Sequence, residues 1–324
     1  MVSVNIVEPL FLNKSFGGIT VTYPYPEKSL LELKSLIRAV TERGSNIPGF
    51  ISFALGSPAP ECIPVDLMRQ AYLDVFDQDP MAVLAYGPQI GDIRLRNWII
   101  DYMAARQNCP SVGQDVVMLT GSGQGLRLAP HTLCDDGDEV YLDLFTYPNA
   151  TYAAHYLGAK PVAIEGDDDG MLPDKLEEAA RSKKGKLIYL IPNFQNPTGR
   201  TMPLKRRKEI YEVAKKYHLA IYEDDPYGEI RFSGDHIPSF KSFDSEDLVI
   251  YSGSFSKILS AGLRVGFLFG PEAMMKKITA VKNTDGQAPL YNQKIIFRAL
   301  ELIDLDAHIQ QLRETYGRKC RLME

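Results

Sequence analysis

Lys257 carries the most chemistry of any side chain in this sequence. It lies in the stretch Tyr251–Gly266, YSGSFSKILSAGLRVG, after a small-residue turn and ahead of Arg264. One apolar run, Leu248–Tyr251, enters the turn, and another, Val265–Phe269, follows the arginine. Short apolar runs bounded by Gly and Ser are the pattern of buried strands, so the lysine belongs to a strand end. An amine desolvated there, beside an arginine's charge, has a lowered pKa, which is what forming an imine with a carbonyl requires. Ser254, Ser256 and Arg264 offer donors for a phosphate, the arginine in bidentate fashion. Taken alone, the stretch reads more readily as a surface lysine in a polar turn.

Four further stretches add groups of the same kind. Thr120-Gly121-Ser122-Gly123-Gln124-Gly125 closes one apolar run and opens a helical pattern. Glycines there let backbone N–H groups approach an anion, and a helix N-terminus favours one, although a plain turn has the same composition. Tyr147, in Phe145-Thr146-Tyr147-Pro148, follows the next apolar run; its ring suits stacking on a flat heteroaromatic, or simply a place in the core. In Asn193-Phe194-Gln195-Asn196-Pro197-Thr198-Gly199, the proline and glycine make a sharp turn that holds an amide donor, Asn196, at a strand end. Glu223-Asp224-Asp225-Pro226-Tyr227 puts carboxylates at the end of another apolar run. Buried at that depth, a carboxylate requires a cationic partner; exposed, it is an ordinary acidic loop. Each stretch, by itself, is explicable as structure.

The elements that would position these groups alternate along the chain. Strands are expected at Val116–Thr120, Glu139–Leu142, Pro161–Ile164, Leu187–Ile191, Ala220–Glu223, Leu248–Ser252 and Val265–Phe269. Helical patterns lie between them, as in Leu204–Tyr217, where Ile210, Val213, Ala214 and Tyr217 share a stripe after Pro203, a helix-starting proline. Another helix is expected over Val65–Phe76. This alternation implies an α/β domain with a largely parallel sheet covered on both faces, whose ligands sit at the carboxyl ends of the strands. Residues 1–47 contain Tyr23-Pro24-Tyr25-Pro26 and a helical pattern, Ser29–Glu42, and read as an arm. Ile51–Pro64 is too rich in Pro and Gly for a regular helix. At the other end, Leu290–Met323 reads as nearly continuous helix, with Ile309, Leu312, Tyr316 and Cys320 on one stripe.

Composition sets the frame. The 324 residues are 45% apolar and 24% charged, with a formal net charge of −5, values of an ordinary globular protein with material for a large core. The acidic balance gives no encouragement to nucleic-acid or anionic-membrane binding. No apolar run reaches the roughly 18 residues of a membrane span, and no basic region followed by an apolar core marks a leader at the N-terminus. The four cysteines, Cys62, Cys109, Cys134 and Cys320, fit no metal spacing and read as reduced thiols of a cytoplasmic protein.

In their order along the chain, these motifs resemble those of pyridoxal-phosphate enzymes of the aspartate-aminotransferase fold (class I/II). They are closest to the branch of 2-aminoadipate, kynurenine and broad-range aminotransferases, and to the aminotransferase-like half of certain bacterial regulators. The resemblance runs from about Pro48 to the C-terminus. It implies fold type I, with a mainly parallel seven-stranded sheet and helices on both faces, and pyridoxal 5'-phosphate as cofactor. It makes Lys257 the cofactor lysine, with Ser122, Gly123, Gln124, Ser254, Ser256 and Arg264 around the phosphate. Tyr147 stacks on the ring, Asn196 and Tyr227 reach the phenolate oxygen, and Asp224 keeps the pyridinium nitrogen protonated, making the ring an electron sink. The branch often has Gln where this chain has Gly123. Tyr86, in Tyr86-Gly87-Pro88, is the tyrosine that reaches the phosphate of a neighbouring subunit, which implies a homodimer with shared sites.

The implied domains are an arm and active-site segment over 1–64, a large cofactor-binding domain over 65–285, and a connecting helix over 286–324. The family continues from there into a small domain that carries the arginine for the substrate carboxylate. The chain therefore reads as cut short in mid-helix, with no metal site and no arginine here assigned to that carboxylate. The implied activity is transfer of an amino group between an amino acid and a 2-oxo acid through a Lys257 imine. A lyase or decarboxylase on the same cofactor, a non-catalytic sensor module, and an inactive fragment are the alternatives.

Overall fold

Val116, Val117, Met118 and Leu119 are consecutive, apolar and fully buried. Side chains of a strand alternate between faces, so such a run demands cover on both sides of its sheet. In the computed structural model, Val116 and Met118 join one core and Val117 and Leu119 another. The structure describes residues 14–16, 19–21, 47–50 and 56–324. The arm's helical pattern, Ser29–Glu42, its Tyr23–Pro26 stretch and residues 51–55 lie outside the described residues.

The chain divides into two compact units, Met1–Gly56 and Ser57–Glu324. The described part of the first contains an antiparallel pair, β1 (Lys14–Phe16) and β2 (Ile19–Val21). The second opens with α1 (Val65–Gln78), α2 (Pro80–Leu84), α3 (Ile93–Gln107), β3 (Gln114–Thr120) and α4 (Ser122–Leu133). Next come β4 (Glu139–Asp143), α5 (Pro148–Tyr156), β5 (Lys160–Ile164), a small pair β6 (Gly166–Asp167) and β7 (Gly170–Met171), and α6 (Pro173–Ala180). It continues with β8 (Gly185–Leu190), α7 (Leu204–Tyr217), β9 (Ala220–Asp224), β10 (Val249–Ser254) and β11 (Val265–Pro271). Three helices close it: α8 (Glu272–Lys282), α9 (Leu290–Leu302) and α10 (Leu305–Arg321).

Seven strands form one sheet in the order β3-β11-β10-β9-β8-β4-β5. The pairs β10·β9, β9·β8, β8·β4 and β4·β5 are parallel, and β11 runs antiparallel to both β10 and β3. All seven expected strands are present, with boundaries moved by at most two residues at either end. One face packs Val117, Leu119, Leu142, Leu187, Tyr222 and Leu268 under α4, α5 and α8. The other is covered in two patches, by α6 and α7 over Tyr141, Ile188 and Ile221, and by α1, α3, α9 and α10 over Met118, Phe267 and Phe269.

The edge strand β3 is not left bare. Met118 N–H donates to the Ile90 carbonyl at 2.9 Å, and Arg96 Nε donates to the Val116 carbonyl at 2.8 Å. Covering an edge in this way removes a template for unwanted pairing. Just upstream, Asp92 starts α3 by accepting from the Arg94 and Leu95 N–H groups at 3.0 and 3.2 Å, the usual cap for helix-end donors.

One expectation differs from the structure. The continuous helix read over Leu290–Met323 is broken at Ile303, which is extended, and Asp304, whose carboxylate accepts from Ala307 N–H at 3.0 Å. Asp is a strong N-cap, and a new helix started there lets α10 turn Leu312 into the core instead of following the line of α9. Helices α9 and α10 pack within the second unit.

Gly253 in β10 faces Phe267 of β11 in direct register. A Cβ there would press into the Phe267 ring. Gly253→Ala is expected to destabilise the chain by about 1–3 kcal/mol, the cost of overpacking, read from the urea midpoint. A midpoint equal to wild type would mean that the strands separate freely at this point.

Candidate active site

The parallel strands deliver their carboxyl ends to one edge of the sheet, and the residues singled out above gather there. Thr120 ends β3, Asp224 ends β9 and Ser254 ends β10. Because β11 is antiparallel, it begins at that edge, with Val265 opposite Thr120. Arg264 therefore stands beside the turn that leads from β3 into α4.

That turn is a close fit. Gly121 has a φ of +73°, a conformation open to glycine and strained for other residues. A Cβ on Gly121 would collide with the Arg264 guanidinium, and one on Gly266 would lie 2.6 Å from the Ser122 nitrogen. The guanidinium and the first N–H groups of α4 thus converge, which an anion suits by both charge and hydrogen bonding. Around Gly123 the space is open, so its backbone is accessible. Gln124 departs from expectation. Its amide oxygen accepts from Thr120 N–H at 2.9 Å, its amide nitrogen donates to Asp285 at 2.8 Å, and its backbone N–H donates to the Gly121 carbonyl. It braces the turn from within instead of lining the cradle.

Ser254 and Ser256 share the turn that follows β10, the Ser254 hydroxyl accepting from Ser256 N–H at 3.1 Å. Lys257 comes next and is half-buried. Burial, with a smaller push from the Arg264 charge, holds its amine below the ordinary lysine range. That direction favours the neutral, nucleophilic form.

Asp224 is buried at the end of β9. Tyr189 of β8 donates to its Oδ2 at 2.9 Å, while Oδ1 has no hydrogen-bond partner among the described residues. Burial pushes this carboxyl up to about 6, opposed by the Tyr189 hydrogen bond and the neighbouring Ser252 hydroxyl, with Asp225 adding a smaller rise. Tyr147 is the residue just before α5. Its hydroxyl accepts from the Asn149 amide at 2.8 Å, and it is raised by burial and the nearby Asp224 charge, with Arg264 opposing. Tyr227 is raised chiefly by burial, opposed by a hydrogen bond with Asn196. Tyr147, Asn196, Asp224 and Tyr227 thus form one electrostatic neighbourhood.

Asn196 sits in a loop with a cis Asn196-Pro197 bond. Gln195 organises that loop: its amide oxygen accepts from Thr198 N–H at 2.9 Å and from the Thr198 hydroxyl at 2.6 Å, and its nitrogen donates to the Phe145 carbonyl. A groove of about 450 Å³ opens alongside, walled by Phe194, Asn196, Pro197, Tyr227, Phe232 and Tyr316. Tyr86 is placed otherwise. It is 98% exposed, presented by a loop in which Gly87 exchanges hydrogen bonds in both directions with the Gln287 amide. The Lys282 ammonium donates to the Gln89 carbonyl of the same loop.

Tyr189, Gln195, Asn193, Asp225, Tyr251 and Arg207 take part in this site's construction and were not anticipated. Asn193, Gln195, Asp225 and Tyr251 lie inside the stretches quoted for their neighbours. Arg207 had a signal of its own, a charged residue at helical spacing with Ile210, Tyr211 and Ala214 on the stripe of α7 that turns inward.

Residues 55–318 match the family described as aminotransferase class I and II, and the chain belongs to that family. It is 37% identical over 272 residues to aromatic-amino-acid aminotransferase 1 of Thermococcus litoralis, covering 82% of this chain and 65% of that protein. Among solved structures, kynurenine aminotransferase of Pyrococcus horikoshii, in complex with PMP, superposes with a TM-score of 0.85 at 31% identity, covering 91% of this chain and 74% of that one. LysN, the alpha-aminoadipate aminotransferase of Thermus thermophilus complexed with N-(5'-phosphopyridoxyl)-L-leucine, gives 0.81 at 30%, covering 92% and 75%. This chain spans about two thirds of the length of the first relative and three quarters of the solved ones.

The cofactor is pyridoxal 5'-phosphate, and the residues fit it. The orphaned Asp224 Oδ1 is what a pyridinium N–H satisfies, and the Gly121–Arg264 convergence, closed to any Cβ, is what a phosphate satisfies.

Asp224 gives a testable consequence for the cofactor-free protein. Its folded pKa is raised from the ordinary 3.8 to about 6, so the group favours folding below about pH 4 and loses that contribution as pH rises through 6. Relative to wild type, Asp224→Asn should gain about 2–3 kcal/mol between pH 4 and pH 7.5, taking 1.36 kcal/mol per unit. Denaturant unfolding at the two pH values measures it; a difference that ignores pH would mean that Asp224 ionises without penalty.

Proposed function

We propose that this chain is the cofactor-binding body of an aminotransferase that moves an amino group between an amino acid and a 2-oxo acid. The observation that carries the reading is the pairing at one sheet edge of a lysine held below its usual pKa with a buried carboxylate left one partner short.

When bound, pyridoxal phosphate supplies an electron sink that acidifies the α-carbon of an amino acid joined to it. The residues of this chain do the rest. Backbone N–H groups of Ser122 and Gly123, the hydroxyls of Ser254 and Ser256, and Arg264 hold the phosphate. Tyr147 covers one face of the ring and excludes water there. Asn196 and Tyr227 donate to the phenolate oxygen, and Asp224 holds the proton on the ring nitrogen. Lys257 Nζ would take the proton from the substrate's α-carbon as general base and give it up again as general acid. Its lowered pKa keeps a usable neutral fraction for the first half of that transfer. Arg231 is engaged with the loop, its guanidinium 4.6 Å from the Phe194 ring and donating to Asn193, so we assign it no substrate carboxylate.

We also read the protein as a homodimer. Helices α1 and α2 expose Leu73, Phe76, Met81 and Leu84, large apolar side chains on consecutive elements that lead directly to Tyr86, and a run of such surface marks an interface. A second copy seated there would receive Tyr86 at its phosphate. The cysteines are free, in keeping with a reducing compartment such as the cytoplasm.

Borohydride reduction of the loaded protein should fix cofactor on Lys257, and Lys257→Ala should abolish the adduct; label surviving on another lysine would sink the assignment. Sustained formation of a 2-oxo acid from an amino donor should depend on an added oxo acid. Release of carbon dioxide and amine without one would favour a decarboxylase instead.

For the dimer, Leu73→Glu with Met81→Glu should give monomers by sedimentation and weaken cofactor retention at least tenfold, the order lost with about 1.4 kcal/mol. Tyr86→Phe should weaken retention while leaving the dimer whole. Monomers that hold cofactor as tightly as wild type would count against shared sites.

A further inference from the structure

The Arg207 guanidinium is fully buried beneath the site, and the proposed function gives it no task. It makes four hydrogen bonds: Nε to the Met202 carbonyl at 2.9 Å, Nη1 to the Pro238 carbonyl at 3.1 Å, and Nη2 to the Pro192 carbonyl at 3.2 Å and to Asn193 Oδ1 at 2.7 Å. Pro192 and Met202 are the two feet of the loop that carries Asn196, already joined by Met202 N–H donating to the Pro192 carbonyl at 2.8 Å. One planar group therefore pins both feet, a task suited to the rigid fork of arginine and not to a lysine's single point of charge.

The network continues from Asn193. Its amide nitrogen donates to Asp225 Oδ2 at 3.0 Å, and the Tyr251 hydroxyl donates to the same oxygen at 3.0 Å. Asp225 Oδ1 accepts from Gly228 N–H at 2.8 Å, next to Tyr227. A chain of short contacts thus runs from Arg207 through Asn193 and Asp225 to the loop of Tyr227, while none of the four bonds of Arg207 reaches Asn196 or Tyr227. Glu223, 4.0 Å from Nη1, has its carboxyl pushed up to about 7 by burial, with Arg207 and the Phe240 and Lys241 N–H groups, at 2.9 and 3.0 Å, opposing the rise. Two loops that meet the same cofactor oxygen are set from one buried point.

We propose that Arg207 is a positioning residue: acting through Asn193 and Asp225, it fixes the spacing of the Asn196 and Tyr227 donors and thereby sets the protonation of the bound cofactor. The proposal rests on the reading that those two side chains donate to the phenolate oxygen. Donors on that oxygen compete for its lone pairs with the proton it shares with the Lys257 nitrogen. Loosening them leaves the proton more tightly held.

The test is a pH titration of the visible absorbance of loaded protein, in wild type, Arg207→Lys, Asn193→Ala, Asn196→Ala, and the double variant Arg207→Lys/Asn196→Ala. Lysine preserves charge opposite Glu223 but cannot span both feet; Asn193→Ala cuts the tie from the loop side and decides the matter should the lysine variant not fold. The expected result is an upward move of the midpoint in Arg207→Lys and Asn193→Ala, by roughly one pH unit, the scale of a lost hydrogen bond to a charged form. The double variant should move by less than the sum of the two single shifts, because part of the effect of Arg207 passes through Asn196 and the rest through Tyr227. A midpoint that stays at the wild-type value in both ties, or a shift fully additive with Asn196→Ala, overturns the proposal. A wild-type protein that carries no cofactor on Lys257 would instead overturn the functional reading beneath it.

Discussion

A carboxylate shut away from water is costly unless something positive comes to it, and Asp224 is built to wait for that partner. Its position at the last residue of β9 is dictated by the sheet. The strands on either side place Tyr189 and Ser252 next to it; Tyr189 donates to one of its oxygens, and the other has no hydrogen-bond partner among the described residues. The remaining features follow from keeping that carboxylate dry yet reachable. Tyr147 and Tyr227 feel its charge, Asn196 hydrogen-bonds Tyr227, and Lys257 follows the turn after the next strand. Moving β9 by one register position would send Asp224 to the opposite face and bring Glu223 or Asp225 to its place.

Glycine and arginine divide the remaining construction between them. Gly121 and Gly266 allow the β3–α4 turn to lie against β11, so that Arg264 can close on it. Below the opposite side of the pocket, Arg207 gathers carbonyls that no neighbouring strand could satisfy. A buried ion is a weak source of stability, and Arg207 has a countercharge only at 4.0 Å. Its bonds make better sense as definition: they give two irregular loops one shape each. The upper side of the pocket is thus shaped by absence of side chains and the lower side by an unusually well-connected one.

Much of this was legible in the sequence, for physical reasons that can be named. Apart from the edge strand β5, the strands of the large sheet are buried on both faces over most of their length, so they read as apolar runs, and the chemistry sits at the ends of those runs where sheets of this kind expose it. The structure departs where a local signal was outweighed. The break between α9 and α10 hung on Asp304, which reads as an ordinary charged residue in a helical pattern until its carboxylate is seen capping. Gln124 lies in a phosphate-like motif, yet its amide is claimed by Thr120 and by Asp285, far ahead in sequence. Tyr189 was hidden because an aromatic residue in an apolar strand looks like core, and it is core at one end and a donor at the other. Arg207 was visible as a charge on an inward stripe, but its acceptors are backbone carbonyls, which composition does not reveal.

The antiparallel course of β11 has a consequence for how the chain comes into being. Strand β3 is the first of the seven to be made, and β11, beside which it lies, is the last; Thr120 must find Val265. Until the final strand emerges, β3 has no ladder to join, and its four fully apolar residues remain without a partner strand. Pairings of such long reach are slow to form and leave sticky intermediates exposed. The same delay applies to the anion cradle, because Gly121 and Arg264 arrive at opposite ends of that interval. A growing chain therefore has no place for its phosphate-bearing ligand during most of synthesis, and recruitment of that ligand is a late event, coincident with completion of the sheet itself.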